Sequence, residues 1–170
     1  FSCHDAKSIF MIPQMLYEQG LVDVVFKKFA KVGYTNTSKN WDNWNTIVNS
    51  LQKTDDAIKI AMVGKYVTLA DSYVSVNEAL KHASASIGRS VNIDWIDSET
   101  LNGNLKQLDN FDGVLVPGGF GTRGSEGIID TATYALENNI PYLGICFGFQ
   151  LAAVAFGRKM CNLENANSTE

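Results

Sequence analysis

From Ile58 onward, short apolar runs alternate with stretches whose apolar residues recur every three or four positions. The runs Ile58–Val63, Val91–Ile96, Gly113–Val116 and Tyr142–Ile145 read as strands, and Ser72–Ile87, Gly127–Asn138 and Gly148–Phe156 as helices. Leu101–Leu108 reads as a short helix. Strands that are apolar throughout, rather than alternating, belong to a sheet covered on both faces. The expected fold is therefore α/β, a doubly wound and mostly parallel sheet with helices on both sides.

Upstream the pattern differs. Gln14–Gln19 and Leu21–Phe29 have helical spacing, with Pro13 in the first turn, where its missing N–H has no partner to lose, and Gly20 as a stop. A polar run from Thr35 to Asn40 precedes an amphipathic helix, Trp41–Leu51, whose face carries Trp41, Trp44, Ile47, Val48 and Leu51. Such a stripe serves packing before it serves a ligand.

Composition narrows the function classes. In 170 residues, 45% hydrophobic and 19% charged with a net charge of −4, there is no basic surplus for nucleic acid. No apolar run reaches the roughly 18–20 residues that span a bilayer, and Phe1–Lys7 lacks a signal-peptide layout, so a cytoplasmic setting is expected, with no membrane partner. Cys3, Cys146 and Cys161 form no C-x-x-C pair, which argues against a disulfide framework or a zinc site; His4 and His82 stand alone, so no metal is expected. The start at Phe1 and the stop at Glu170, with no cap or finished strand, suggest an excerpt of a longer protein.

Two motifs carry chemistry. Gly144-Ile145-Cys146-Phe147-Gly148 lies where a strand gives way to a helix, the cysteine form of a nucleophile elbow. Its glycines would permit a tight turn, and the helix N-terminus would favour a thiolate. A structural cysteine between packing glycines would give the same five residues. The second motif, Val116-Pro117-Gly118-Gly119-Phe120-Gly121, ends the preceding strand, where backbone N–H groups can face an oxyanion. As an ordinary turn it would mean little; beside the elbow it completes a nucleophile with an oxyanion hole. A phosphate loop is disfavoured, because no Gly-Lys-Ser/Thr follows. A cysteine nucleophile needs a base, and His82, inside a helix, is poorly placed to be one.

Cys146 with Gly148 and Gln150, the Pro117–Gly121 loop, and Asn165-Ala166-Asn167-Ser168-Thr169-Glu170 together resemble class I glutamine amidotransferases. Ile60–Tyr66, Asp71-Ser72-Tyr73 and Glu78–His82 resemble the opening of the amidotransferase domain in the branch that makes CTP, while Ser8-Ile9-Phe10, Ile12-Pro13 and Gln19-Gly20-Leu21 resemble the end of that branch's synthetase domain. The resemblance implies residues 1–33 as a synthetase (amidoligase) tail, 34–56 as a linker containing a helix, and 57–170 as the N-terminal part of the amidotransferase domain.

It further implies a ligase that makes CTP from UTP, ATP and glutamine. Cys146 would form a glutamyl thioester; Gly119 and Phe147 would supply the oxyanion N–H groups; Gly119, Phe147, Gly148, Phe149, Gln150 and Glu170 would bind glutamine. Phe147 and Phe149 stand where the family more often has Leu and Met. The catalytic His and Glu, and the ATP- and Mg²⁺-using synthetase site, would lie outside these residues, leaving the excerpt inactive alone. GTP as effector and a homotetramer are implied for the full protein. Two alternatives stay open: another cysteine hydrolase sharing the elbow, and a non-catalytic interaction module with an inert cysteine.

Overall fold

The computed structural model describes residues 1–29, 38–53, 55–67, 70–101 and 103–169, the side chains of 38–40 and 70 excepted. The end of the tail, the polar run as far as Thr37, and Glu170 lie outside them. Chain order runs α1 (Ile12–Glu18), α2 (Leu21–Lys28), α3 (Ser38–Leu51), β1 (Ile58–Gly64), α4 (Val74–Ser86), β2 (Val91–Asp97), β3 (Gly113–Val116), α5 (Ser125–Glu137), β4 (Tyr142–Gly144) and α6 (Phe147–Met160).

The strands form one parallel sheet in the order β2-β1-β3-β4. Ile60 pairs with both Ile93 and Gly113, and Val116 with Gly144. The chain winds outward from β1 to β2, then returns to the other flank of β1 for β3 and β4. The connections after β1 and β3 thus set out toward opposite ends of the sheet, which makes the carboxyl edge between these strands the switch point, the place where open α/β sheets bind ligands.

Burial explains the strands. Ala61, Met62 and Val63 of β1 are wholly buried, and all four residues of β3 are buried, as parallel strands sandwiched by helices must be. The core gathers Val63, Val114 and Val116 from the sheet with Ile128, Ile129 and Ala132 of α5 and Phe147, Leu151 and Val154 of α6. One expected element is displaced: in place of a helix over Leu101–Leu108, a 3₁₀ segment occupies Leu105–Asn110. Gly103, at φ +91°, interrupts the right-handed path, and Leu101 and Leu108 turn into the core from either side of it. Helix α6 also continues past Phe156 to Met160.

The upstream helices join this body through aromatic contacts. The Trp44 indole N–H donates to the Phe10 carbonyl at 2.8 Å, and Trp41 packs on Tyr17 with centroids 4.8 Å apart. Phe10 meets the His82 ring edge-on at 5.5 Å. The stripe on α3 is packing, as its spacing suggests, and His82 is a packing residue. Among the described residues no helix is long and apolar enough to cross a membrane, and no cluster of three or more His, Cys, Asp or Glu could hold a metal ion.

Leu151→Ala, which empties a fully buried position, should cost about 2–5 kcal/mol in urea unfolding. Ile87→Ala, at a position 62% exposed, should stay within about 0.5 kcal/mol.

Candidate active site

Three strand ends meet at the carboxyl edge. β4 stops at Gly144; the Ile145 N–H still reaches the Val116 carbonyl at 2.9 Å, and α6 begins one residue after Cys146. Two close approaches force this abrupt turn. A Cβ on Gly144 would lie 2.5–2.6 Å from the Gly148–Phe149 peptide, and one on Gly148 would collide with the Val116 carbonyl oxygen. Backbone meets backbone at both points, so no side chain can yield.

Cys146 absorbs the strain, at φ +53° and ψ −111°, a region that L-residues rarely occupy. Its side chain is exposed. The Cys146 carbonyl accepts from the Phe149 and Gln150 N–H groups at 3.0 and 3.1 Å, while Gly148 N–H donates back to Ile145 at 3.0 Å. The Phe147 N–H belongs to the first turn, where a helix offers it no internal acceptor. The Tyr142 hydroxyl donates to the Gly148 carbonyl at 3.0 Å, tying the turn to β4; burial pushes that phenol above its ordinary range.

The Pro117–Gly121 loop lies directly alongside. A Cβ on Gly118 would be 3.7 Å from the Cys146 Cβ, and one on Gly119 would be 3.8 Å from the Phe147 ring. The elbow and the glycine loop, legible separately in the sequence, are therefore neighbours. Gly119, Phe147 and Gly148 are buried, whereas Phe149 and Gln150 face outward. Phe147 is only 1% exposed, so its ring is closed to a ligand at this edge. Glu170 lies outside the described residues.

Lys65, one residue past β1, packs against this loop, although neither of the two motifs pointed to it. It is 5% exposed; its ammonium donates to the Phe120 carbonyl at 3.2 Å, to the Gly121 carbonyl, and to Ser125 Oγ at 3.1 Å. The ammonium also sits 4.3 Å from the centroid of the Phe147 ring. Arg123, from the same loop, reaches back to the Lys65 carbonyl at 3.2 Å and pairs with Glu99 at 3.3 Å. Burial, and then the Arg123 charge, lower the Lys65 pKa below 10.5, with Glu99 opposing. The available signal was position: a lysine directly after a buried strand, at the edge where ligands bind.

A strained, exposed cysteine at a helix start, set against a glycine loop, can perform nucleophilic acyl chemistry. Residues 68–169 match the family model for glutamine amidotransferase class-I, and the chain belongs to that family. Among its relatives are CTP synthases: it is 43% identical to that of Methanopyrus kandleri, over 98% of this chain and 31% of the relative, and 44% identical to that of Thermococcus kodakarensis, over 99% and 31%. The chain thus spans about a third of the length of the curated relatives it matches. Among solved structures, the glutaminase domain of Trypanosoma brucei CTPS with bound acivicin aligns with a TM-score of 0.62 at 38% identity, covering 67% of this chain and 46% of that one.

Gly148→Ala should cost about 1–3 kcal/mol or more in unfolding measurements, because its new methyl meets backbone. Lys65 yields a pH effect of definite sign. Its folded pKa is below 10.5, so the fold binds that proton less tightly than the unfolded chain, and stability rises with pH from the lowered value toward 10.5. Urea midpoints of wild type relative to Lys65→Met should therefore shift in favour of the wild type across that window.

Proposed function

We propose that this chain carries the nucleophile and oxyanion loop of the glutaminase site of a CTP synthase. The observation that carries the proposal is Cys146 at φ +53°, lifted out at the start of α6 and bordered by Gly118 and Gly119.

The Cys146 sulfur, as thiolate, attacks the side-chain carbonyl carbon of glutamine. The resulting oxyanion is held by backbone N–H groups near Gly119 and Phe147, at the partially positive end of α6. Collapse of the tetrahedral intermediate breaks the C–N bond and, with a proton supplied to the nitrogen, releases ammonia. Water then cleaves the glutamyl thioester, giving glutamate and the free cysteine. Glutamine lies along Phe147–Gln150, and Glu170 receives its amino group. The proton-transferring His and its orienting Glu come from residues outside these 170, since His82 is engaged with Phe10.

On this reading residues 1–33 end a synthetase domain, 34–56 link it, and 57–170 open the amidotransferase domain. The synthetase part, with ATP and Mg²⁺, phosphorylates UTP and receives the ammonia to give CTP. GTP stimulation and a tetramer belong to the same proposal for the intact protein.

In the intact protein, acivicin, a glutamine-analogue electrophile, should modify Cys146 alone, with excess glutamine protecting it, as read by peptide mass. Labelling absent, or indifferent to glutamine, would mean a non-catalytic module. Cys146→Ala should abolish glutamine-dependent CTP formation and spare synthesis from added ammonia; equal loss of both would overturn the division between two sites.

A further inference from the structure

We propose that Lys65 is the positioning residue of the oxyanion loop: its side chain, anchored on β1, fixes the Gly118–Gly121 backbone against Cys146. This inference rests on the glutaminase reading and assigns a role within that site to a residue outside the nucleophile and donor motifs.

Three observations support it. First, Lys65 binds the loop at several points, donating to the Phe120 and Gly121 carbonyls and to Ser125 Oγ, where α5 begins. Across a trans peptide the N–H points opposite to the carbonyl, so drawing these two carbonyls toward Lys65 turns the Gly121 and Thr122 N–H groups away from it and sets the twist of the loop. Second, the same stem runs beside the donor segment: a Cβ on Gly119 would lie 3.6 Å from Lys65 Cδ. The ammonium simultaneously rests over the ring of Phe147, the residue after the nucleophile. One side chain therefore bridges the glycine loop and the elbow. Third, the loop returns the contact, with Arg123 donating to the Lys65 carbonyl at 3.2 Å, so strand end and loop are laced in both directions.

A buried ammonium is a costly way to fill space, since its lost hydration must be replaced by oriented oxygens. Two carbonyls and a hydroxyl do so here, and they can only while the loop keeps this shape. Lys65 acts through the loop and touches no reacting atom.

The test compares two reactions of Cys146 in the intact protein. Glutamine hydrolysis passes through a tetrahedral oxyanion; alkylation by iodoacetamide does not. In Lys65→Met, kcat for glutamate release should fall about tenfold to a hundredfold with KM nearly unchanged, the scale expected when reacting groups are misplaced by about an ångström. Iodoacetamide alkylation of Cys146 should stay within about threefold of wild type, because the thiol itself is untouched. An unchanged kcat would overturn the proposal. So would parallel loss of hydrolysis and alkylation, which would mean that Lys65 merely holds the elbow together. Wild-type protein that releases no glutamate would instead overturn the glutaminase reading, and the proposal with it.

Discussion

The approach of α6 to the sheet at Gly148 is the constraint on which the site depends. The helix starts so close to β3 and β4 that backbone touches backbone at Gly144, Gly148 and Val116. The chain must reverse between Gly144 and Phe147, and Cys146 takes the conformation left to it. Holding a non-glycine residue there costs on the order of 1–3 kcal/mol. Phe147 and Leu151, 1% and 0% exposed, each contribute about 1.5–3 kcal/mol by burial, enough together to hold the turn. The strain at Cys146 and the core of the domain are thus two ends of one helix.

The strand order decides what this turn faces. Because β2 lies on one side of β1 and β3 on the other, the sheet has its switch point between β1 and β3, at the carboxyl edge that bears the elbow. Three segments far apart in sequence converge there: Lys65, the loop from Pro117 to Gly124, and the start of α6. Apolar contact alone would leave a glycine-rich loop many shapes. The Lys65 ammonium and the Arg123 guanidinium replace that latitude with directed hydrogen bonds, and the Tyr142 hydroxyl does the same for the first turn of α6.

Much of the fold was legible in the sequence, for identifiable reasons. β3 has the bounds expected from its pattern, because a strand buried on both faces needs apolar residues throughout; β1 and the edge strand β2, which alternates apolar and exposed polar residues, each run one residue further. The Leu101–Leu108 segment misled because its leucines have helical spacing while Gly103 breaks the helix; periodicity records which residues are buried, not the path between them. The elbow was visible because Gly144 and Gly148 have no room for a side chain, and the loop because it gathers glycines, of which Gly121 and Gly124 take a positive φ. Lys65 was invisible, since burial of a charged side chain depends on acceptors 55 to 60 positions away along the chain.

The glycines of the site answer to two different demands. Gly144 and Gly148 are required by space, for any side chain there would strike backbone. At Gly118 and Gly119 space is adequate: an added Cβ would make ordinary contacts of 3.6–3.8 Å with Cys146, Lys65 and Phe147, and neither residue has a positive φ. Packing alone would therefore admit alanine at both. What a side chain at Gly118 would do is stand against Cys146, 3.7 Å from its Cβ. The pair makes physical sense where the backbone of the loop must itself be reached by a ligand, which is the demand that an oxyanion hole places on it.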